Sequence, residues 1–483
     1  MQDNILEMLE IIDGIDKSNY NQFTNSRKNK LYSSTFIYTL PEYKDYIKTQ
    51  LQLIYNSQPI TNDISTIIDI WFQKQIKTNY LPKIYSLLEN YNSIPCIEQK
   101  TEEWLAERRQ IITASEAGYL LGIKGRATIM NYLSAKLNIS TSQDKLRYMP
   151  SVQHGTIFED VSRMIYETRN NVSVREYGLI KSVKTPFLGA SPDGIVSTDA
   201  TNARIGRLVE IKNPYKFDET DDIKPEYLIQ IYQQQYVLGL PLCDFIKTNI
   251  IGANASTDTI DKGFCPYKTL DDLLADIPGR DLVLYNTNIP ANNLTARGME
   301  KGVLISYKAT MGDIKSLVYP LTIEYEKDAI TKWIIQQRAQ LVSSGINKES
   351  IVVQYWYVAR YSQQTVEYDA EIFEKNYLPR LELIQKIIDK LKLEQSRYDK
   401  NVFTKFMETQ IKPLFNKPSK FYKDVEQFNA NCLLLQDILK LQPNDVDVIT
   451  KSVEIDTKTE IKTEMKKGNT KVPKSRVIIE LDF

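Results

Sequence analysis

Residues 189–214 read GASPDGIVSTDATNARIGRLVEIKNP, two short apolar runs joined by a polar loop. An acid, Asp193, stands at the end of the first run, and an acid and a lysine, Glu210 and Lys212, lie inside the second. Alternate residues of a strand share a face, so Leu208, Glu210 and Lys212 point one way while Val209 and Ile211 point the other. At the strand rise the Cα atoms of Glu210 and Lys212 stand about 6.5 Å apart, close enough for both side chains to serve one small object. Taken alone, the pair also reads as an ordinary solvent-facing Glu/Lys couple, worth little.

Working outward, residues 96–250 alternate helices with short strands, which predicts an α/β (α+β) core with a mixed sheet. The segment SVQHGTIFEDVSRMIYETRNN places Ile157, Phe158, Val161, Met164 and Ile165 at i, i+3, i+4, i+7 spacing, with Glu159 on the far side, facing water or a cleft. His154, the chain's single histidine, reads as a surface or capping residue. Upstream, Thr113 and Glu116 stand at capping-box spacing, predicting a helix from there to near Gly122. Arg108, Arg109, Thr113 and Ser115 gather at its start, a seat for a phosphate or merely a capped surface helix. Downstream, Pro225 and Gly239 bracket a helix on which Tyr227, Gln230 and Gln234 share one face, able to hold a water or a phosphate.

The flanks are less explicit. Residues 1–95 predict a helical N-terminal domain interrupted at Pro82, and 251–320 an insertion of mixed polarity. Residues 321–450 predict a mostly helical part completing the domain of that core, with helices over 322–343 and 367–400, the latter broken or kinked at Pro379. A basic segment and a terminal strand are expected over 451–483. VVQYWYVARYSQQTVEY reads as core strand. Lys+Arg and Asp+Glu number 61 each, so any nucleic-acid surface must be local. Cys96, Cys243, Cys265 and Cys432 are too dispersed for zinc or a disulfide scaffold, and one histidine rules out poly-histidine metal chemistry, leaving carboxylates as ligands. No apolar run is long enough to cross a bilayer, and the sequence predicts an intracellular protein, cytoplasmic or nuclear, with no membrane partner.

In their order along residues 100–250, the segments RRQIITASE, HGTIFED, SPDGIV, VEIKNP and KPEYLIQIYQQQ resemble the PD-(D/E)xK nuclease superfamily, within it the YqaJ-like viral recombinase or lambda-type exonuclease group. The resemblance implies a restriction-endonuclease-like core. It also implies that Asp193 bridges two Mg²⁺ ions, that Glu210 and the Ile211 carbonyl hold one and that Glu159 helps hold the other, with Mn²⁺ able to substitute. Lys212 would orient the attacking water, Gln230 would support the cluster, and Arg108 and Ser115, with Thr113 beside them, would receive a 5′-terminal phosphate. His154 departs from the arginine more common in the group. The implied activity is a 5′ to 3′ exonuclease acting on duplex DNA ends in viral-type recombination or repair, with a single-strand-annealing partner. Alternatives are an endonuclease or RNA-degrading relative and a catalytically silent nucleic-acid-binding protein. Ring oligomers and monomers both fit.

Overall fold

A computed structural model describes residues 8–18, 23, 36–54, 62–95, 101–123, 126–139, 149–216, 220–252, 268–274, 300–309, 314–321 and 326–415. Expectations for the cysteines Cys96, Cys265 and Cys432, and for 451–483, fall outside these; Cys243 is buried with a free thiol. The chain divides into two compact units, residues 1–385 and 386–483.

The first unit is built on a seven-stranded mixed sheet. Its strands are β2 (Val172–Arg175), β5 (Gly194–Asp199), β6 (Leu208–Lys212), β7 (Leu242–Gly252), β8 (Lys301–Lys308), β9 (Ile314–Val318) and β10 (Val352–Glu367). They stand in the order β2-β5-β6-β7-β10-β8-β9. Only β6 and β7 run parallel; every other neighbouring pair is antiparallel. A second, three-stranded sheet pairs β4 (Leu188–Ala190) in parallel with β1 (Ile112–Thr113) and antiparallel with β3 (Ile180–Lys181).

In chain order the helices that matter are α1 (Pro41–Ile54), α2 (Asn62–Gln75), α3 (Leu81–Asn92), α4 (Glu102–Gln110), α5 (Ala114–Leu120), α6 (Arg126–Lys136), α7 (Pro150–Asn170), α8 (Pro225–Leu238), α9 (Lys327–Ser343) and α10 (Leu378–Arg397). The α7 stripe buries Phe158, Val161 and Ile165 against Val196, Val209, Ile211, Ile246, Trp356 and Val358 of the sheet, forming the main core. The α8 helix makes the crossover between the parallel strands β6 and β7, opening at Pro225 and ending at Gly239, whose φ of 60° is the left-handed conformation that glycine adopts without penalty. Leu208, Glu210 and Lys212 therefore face α8, while Val209 and Ile211 face α7, as the alternation predicts.

Helices dominate the described part of residues 8–95. They bury Tyr43, Ile47, Ile68, Trp71 and Phe72 together, and Tyr80 Oη donates to the Ile205 carbonyl at 2.7 Å in the β5–β6 loop. At Pro82 and Pro379, where an interruption and a break or kink are expected, the α-helical regularity is interrupted but the helical path is not broken. In each case a π-type turn (Ile76–Tyr80, Glu371–Tyr377) leads into an α-helix whose second residue is the proline, and Met407–Ile411 followed by Pro413 repeats the arrangement. Proline lacks an N–H and its ring crowds the carbonyl four residues back; a wider turn there absorbs both without ending the helix. In the second unit the described residues remain helical, through the end of α10 and over Lys400–Phe406. No helix among the described residues is long and apolar enough to cross a membrane.

Candidate active site

Three consecutive glutamines organise the site. Gln233, Gln234 and Gln235 on α8 are all fully buried, and successive helical residues point about 100° apart, so each reaches a different part of the protein. Gln234 Nε2 donates to Glu210 Oε2 at 2.7 Å. Gln233 Nε2 donates to the carbonyls of Ile112 (2.8 Å) and Gly189 (3.1 Å), gripping the paired strands β1 and β4. Gln235 Nε2 donates to the carbonyls of Pro241 and Val366 at 2.6 and 2.9 Å. One turn earlier, Gln230 Nε2 reaches Glu210 Oε1 at 2.6 Å. The Gln230/Gln234 face thus holds a carboxylate directly. Gln233 and Gln235 carried no signal beyond amides in a helix whose other residues are mostly apolar.

Glu210 has no solvent exposure, which overturns the solvent-facing reading of its strand. Lys212 Nζ completes its shell by bonding Oε1, so both oxygens are engaged. Half-buried Lys212 lies with its ammonium 5.0 Å from the centre of the Tyr227 ring. Burial alone would favour neutral lysine, but Glu210 and Asp193 outweigh it and raise the lysine above its ordinary value. Lys212, Asn213, Asp222, Lys224, Tyr227 and Lys247 line a cavity of about 90 Å³ beside it.

Asp193 enters from the turn into β5. Its Oδ2 accepts the Ile211 N–H at 2.7 Å, fixing it across the hairpin from Glu210. Gly194 follows because a Cβ there would stand 2.1 Å from Val174 Cγ1 on β2. Burial, then Glu210, then Glu159, hold the Asp193 carboxyl well above the usual carboxylate range, with Lys212 and the Ile211 N–H opposing. Glu159, on the outward side of α7, is exposed. Crowding by surrounding protein atoms, then Asp160 and Glu210, raise it, with Lys212 and Arg163 opposing; solvent screens much of this. Glu159, Asp193, Glu210 and Lys212 therefore share one electrostatic neighbourhood.

As the side chains stand, no three His, Cys, Asp or Glu residues among the described ones form a ready-made metal cage. The donors nonetheless suit a hard dication: Glu159, Asp193 and Glu210 are carboxylates within electrostatic reach of one another and of Lys212, and carboxylate and carbonyl oxygens are the ligands Mg²⁺ and Mn²⁺ prefer.

The second predicted cluster also assembles. Arg108 Nη2 donates to Thr113 Oγ1 at 3.0 Å and to Ser115 Oγ at 3.3 Å, and its guanidinium lies 4.5 Å from the centre of the Trp104 ring. Glu116 Oε2 accepts the Thr113 N–H at 3.1 Å, the capping box expected at the start of α5. Arg109 turns toward Glu102, 3.8 Å away. Because Gln233 grips Ile112 while Gln230 and Gln234 grip Glu210, α8 links this cluster to the carboxylates.

His154 is a correction: the expected surface or capping residue is 9% exposed, packed on Phe158 and Tyr215 with ring centres 4.8 and 5.6 Å away. It stands four residues before Phe158 and so continues the apolar stripe of α7. Its Nε2 finds no partner among the described residues, and burial lowers its pKa to about 4.

Comparison with known proteins agrees with the motifs. The chain is 26% identical over 393 residues to an uncharacterized protein of Acanthamoeba polyphaga mimivirus, covering 71% of this chain and 66% of that relative's length. It is 30% identical to the crystal structure of the alkaline exonuclease LHK-Exo of Laribacter hongkongensis over 31% of this chain and 74% of that one, with a TM-score of 0.24. LHK-Exo in complex with dAMP matches at the same identity and coverage, with a TM-score of 0.25. Residues 103–241 match the YqaJ-like viral recombinase domain. This segment, which carries the motifs and every candidate site residue, belongs to the YqaJ-like viral recombinase family.

Proposed function

We propose that the protein is a metal-dependent DNA exonuclease that degrades linear duplexes from 5′ ends in viral-type recombination, repair or genome processing. The observation that carries the reading is Glu210: a fully buried carboxylate with both oxygens held by Gln230, Gln234 and Lys212, beside Asp193, in a YqaJ-like domain. Burying such a charge is costly unless something gains from its position.

Glu159, Asp193, Glu210 and the Ile211 carbonyl would hold Mg²⁺, two ions in the fullest form, or Mn²⁺. Bound there, the metal would supply charge neutralisation for the scissile phosphate and acidify water for in-line attack. Lys212 orients that water from its place on Glu210, with Tyr227 packed beneath the ammonium. Gln230 and Gln234 keep the Glu210 carboxylate from turning. Arg108, Thr113 and Ser115 offer a guanidinium and two hydroxyls to a terminal phosphate and so set the register of cleavage. A single-strand-annealing protein is the natural partner for the remaining strand.

The test is the full-length chain with Mg²⁺ on end-labelled linear duplex, nicked and closed circles, single strands and RNA, with 5′-phosphate or 5′-hydroxyl ends. Stepwise release from phosphorylated duplex ends, lost in Asp193→Asn and Lys212→Ala, is expected. Cutting of closed circles or RNA would favour the endonuclease or RNA-degrading alternative, and inertness toward every substrate a purely binding role.

A further inference from the structure

Lys136, at the end of α6, is 4% exposed. Its ammonium donates to the Arg108 carbonyl at 2.5 Å, the Ile111 carbonyl at 2.6 Å and Glu116 Oε2 at 2.6 Å, three acceptors for three protons. Two of the contacts fix the chain on either side of the α4–β1 turn, which sets where Arg108 and Thr113 stand.

The third contact concerns charge. Glu116 is 6% exposed, caps α5 through Oε2, and carries Oε1 3.6 Å from Arg108 Nη2. Burial would raise its carboxyl, but Lys136 and then Arg108 overcome this and hold it below the usual carboxylate range, so Glu116 is an anion at neutral pH. An anion at that distance from Arg108 competes with any phosphate for the guanidinium. Lys136, closer and almost wholly enclosed, neutralises it. Arg108, Glu116 and Lys136 together keep one net positive charge, directed at Thr113 Oγ1 and Ser115 Oγ.

We propose that Lys136 is the positioning residue of the terminal-phosphate pocket, taking up the charge of Glu116 so that Arg108 stays available to a 5′-phosphate. This rests on the pocket assigned above to Arg108, Thr113 and Ser115. Glu116 caps the helix, Arg108 meets the ligand, and Lys136 keeps the two from satisfying each other.

The experiment compares cleavage of 5′-phosphorylated and 5′-hydroxyl duplexes by the full-length protein and its variants Arg108→Ala, Lys136→Met and Lys136→Met/Glu116→Gln. Glutamine still accepts at the capping position, so the double variant keeps the cap without the charge. Lys136→Met should lower the phosphate preference about tenfold, through KM on phosphorylated ends, with a much smaller change on hydroxyl ends. The double variant should regain the part of the preference that the unneutralised Glu116 charge costs, and unfolding profiles establish that each variant is folded. Equal losses on both ends, an unchanged preference in Lys136→Met, or no recovery in the double variant would overturn the role of Lys136. If Arg108→Ala retains the full preference, the pocket itself is misassigned; if it loses the preference while Lys136→Met does not, this inference alone falls.

Discussion

Replacing Gln234 with leucine tests whether α8 exists to restrain Glu210. Gln234 Nε2 donates to a wholly buried carboxylate at 2.7 Å, and a hydrogen bond to a charged group is worth about 1.5–3 kcal/mol. Leucine removes that bond and leaves Glu210 Oε2 without its donor. It also removes Gln234 Oε1, a buried acceptor with no partner among the described residues, which returns about 1 kcal/mol. The net expectation is a loss of about 1–2 kcal/mol in folding free energy, read from denaturant unfolding at constant m-value. A double-mutant cycle with Glu210→Gln isolates the pair: Gln230 and Lys212 remain around residue 210 in every member, so the coupling should fall near 1.5–3 kcal/mol. Nuclease activity of Gln234→Leu should drop more than stability does, because a carboxylate freed on one side no longer presents a fixed oxygen. A coupling below about 0.5 kcal/mol would refute the claim that Gln234 orients Glu210, leaving the glutamine as core filler.

Asp193→Asn should abolish cleavage yet raise the thermal midpoint in metal-free buffer, since it removes a charge that burial, Glu210 and Glu159 all disfavour; a lowered midpoint would contradict that balance. His154 should make the fold acid-labile: the unfolded chain takes up a proton near the ordinary value of about 6.5, the folded one only near about 4. Stability is therefore intact above the upper value and falls between the two, by about 2 kcal/mol at pH 5, and His154→Leu should flatten that stretch of the unfolding profile. Gly194→Ala should cost about 1–3 kcal/mol by pressing on Val174, and Val174→Ala beside it should recover part of the loss, as followed by denaturant midpoints.

Much of the site was legible because its chemistry is local in sequence. Alternation fixed the faces of β6, and the capping box gave the start of α5 and hence the meeting of Thr113, Ser115 and Arg108. What alternation cannot give is depth: the same Leu208-x-Glu210-x-Lys212 pattern suits a wet face or, as here, one sealed by α8. His154 was misjudged because a polar residue four positions before Phe158 was not counted into the stripe it continues. Strands β8 and β9 were not anticipated, since their place depends on β10, whose partners lie more than a hundred residues upstream as well as nearby. Only β10 itself was readable, from its β-branched and aromatic content.

The length of β10 bears on how the protein can be made. It runs for 16 residues, pairs with β7 over Trp356–Glu367 and carries β8 on its other flank, so β7, the strand next to β6, finds its second partner only after residue 367 has been synthesised. Until then a nascent chain holds the candidate site side chains beside an open, apolar strand edge, the sort of surface on which polypeptides associate wrongly. A recombinant fragment trimmed to the matched residues 103–241 would stop before β7 begins and should be insoluble, whereas one extended past β10 should fold.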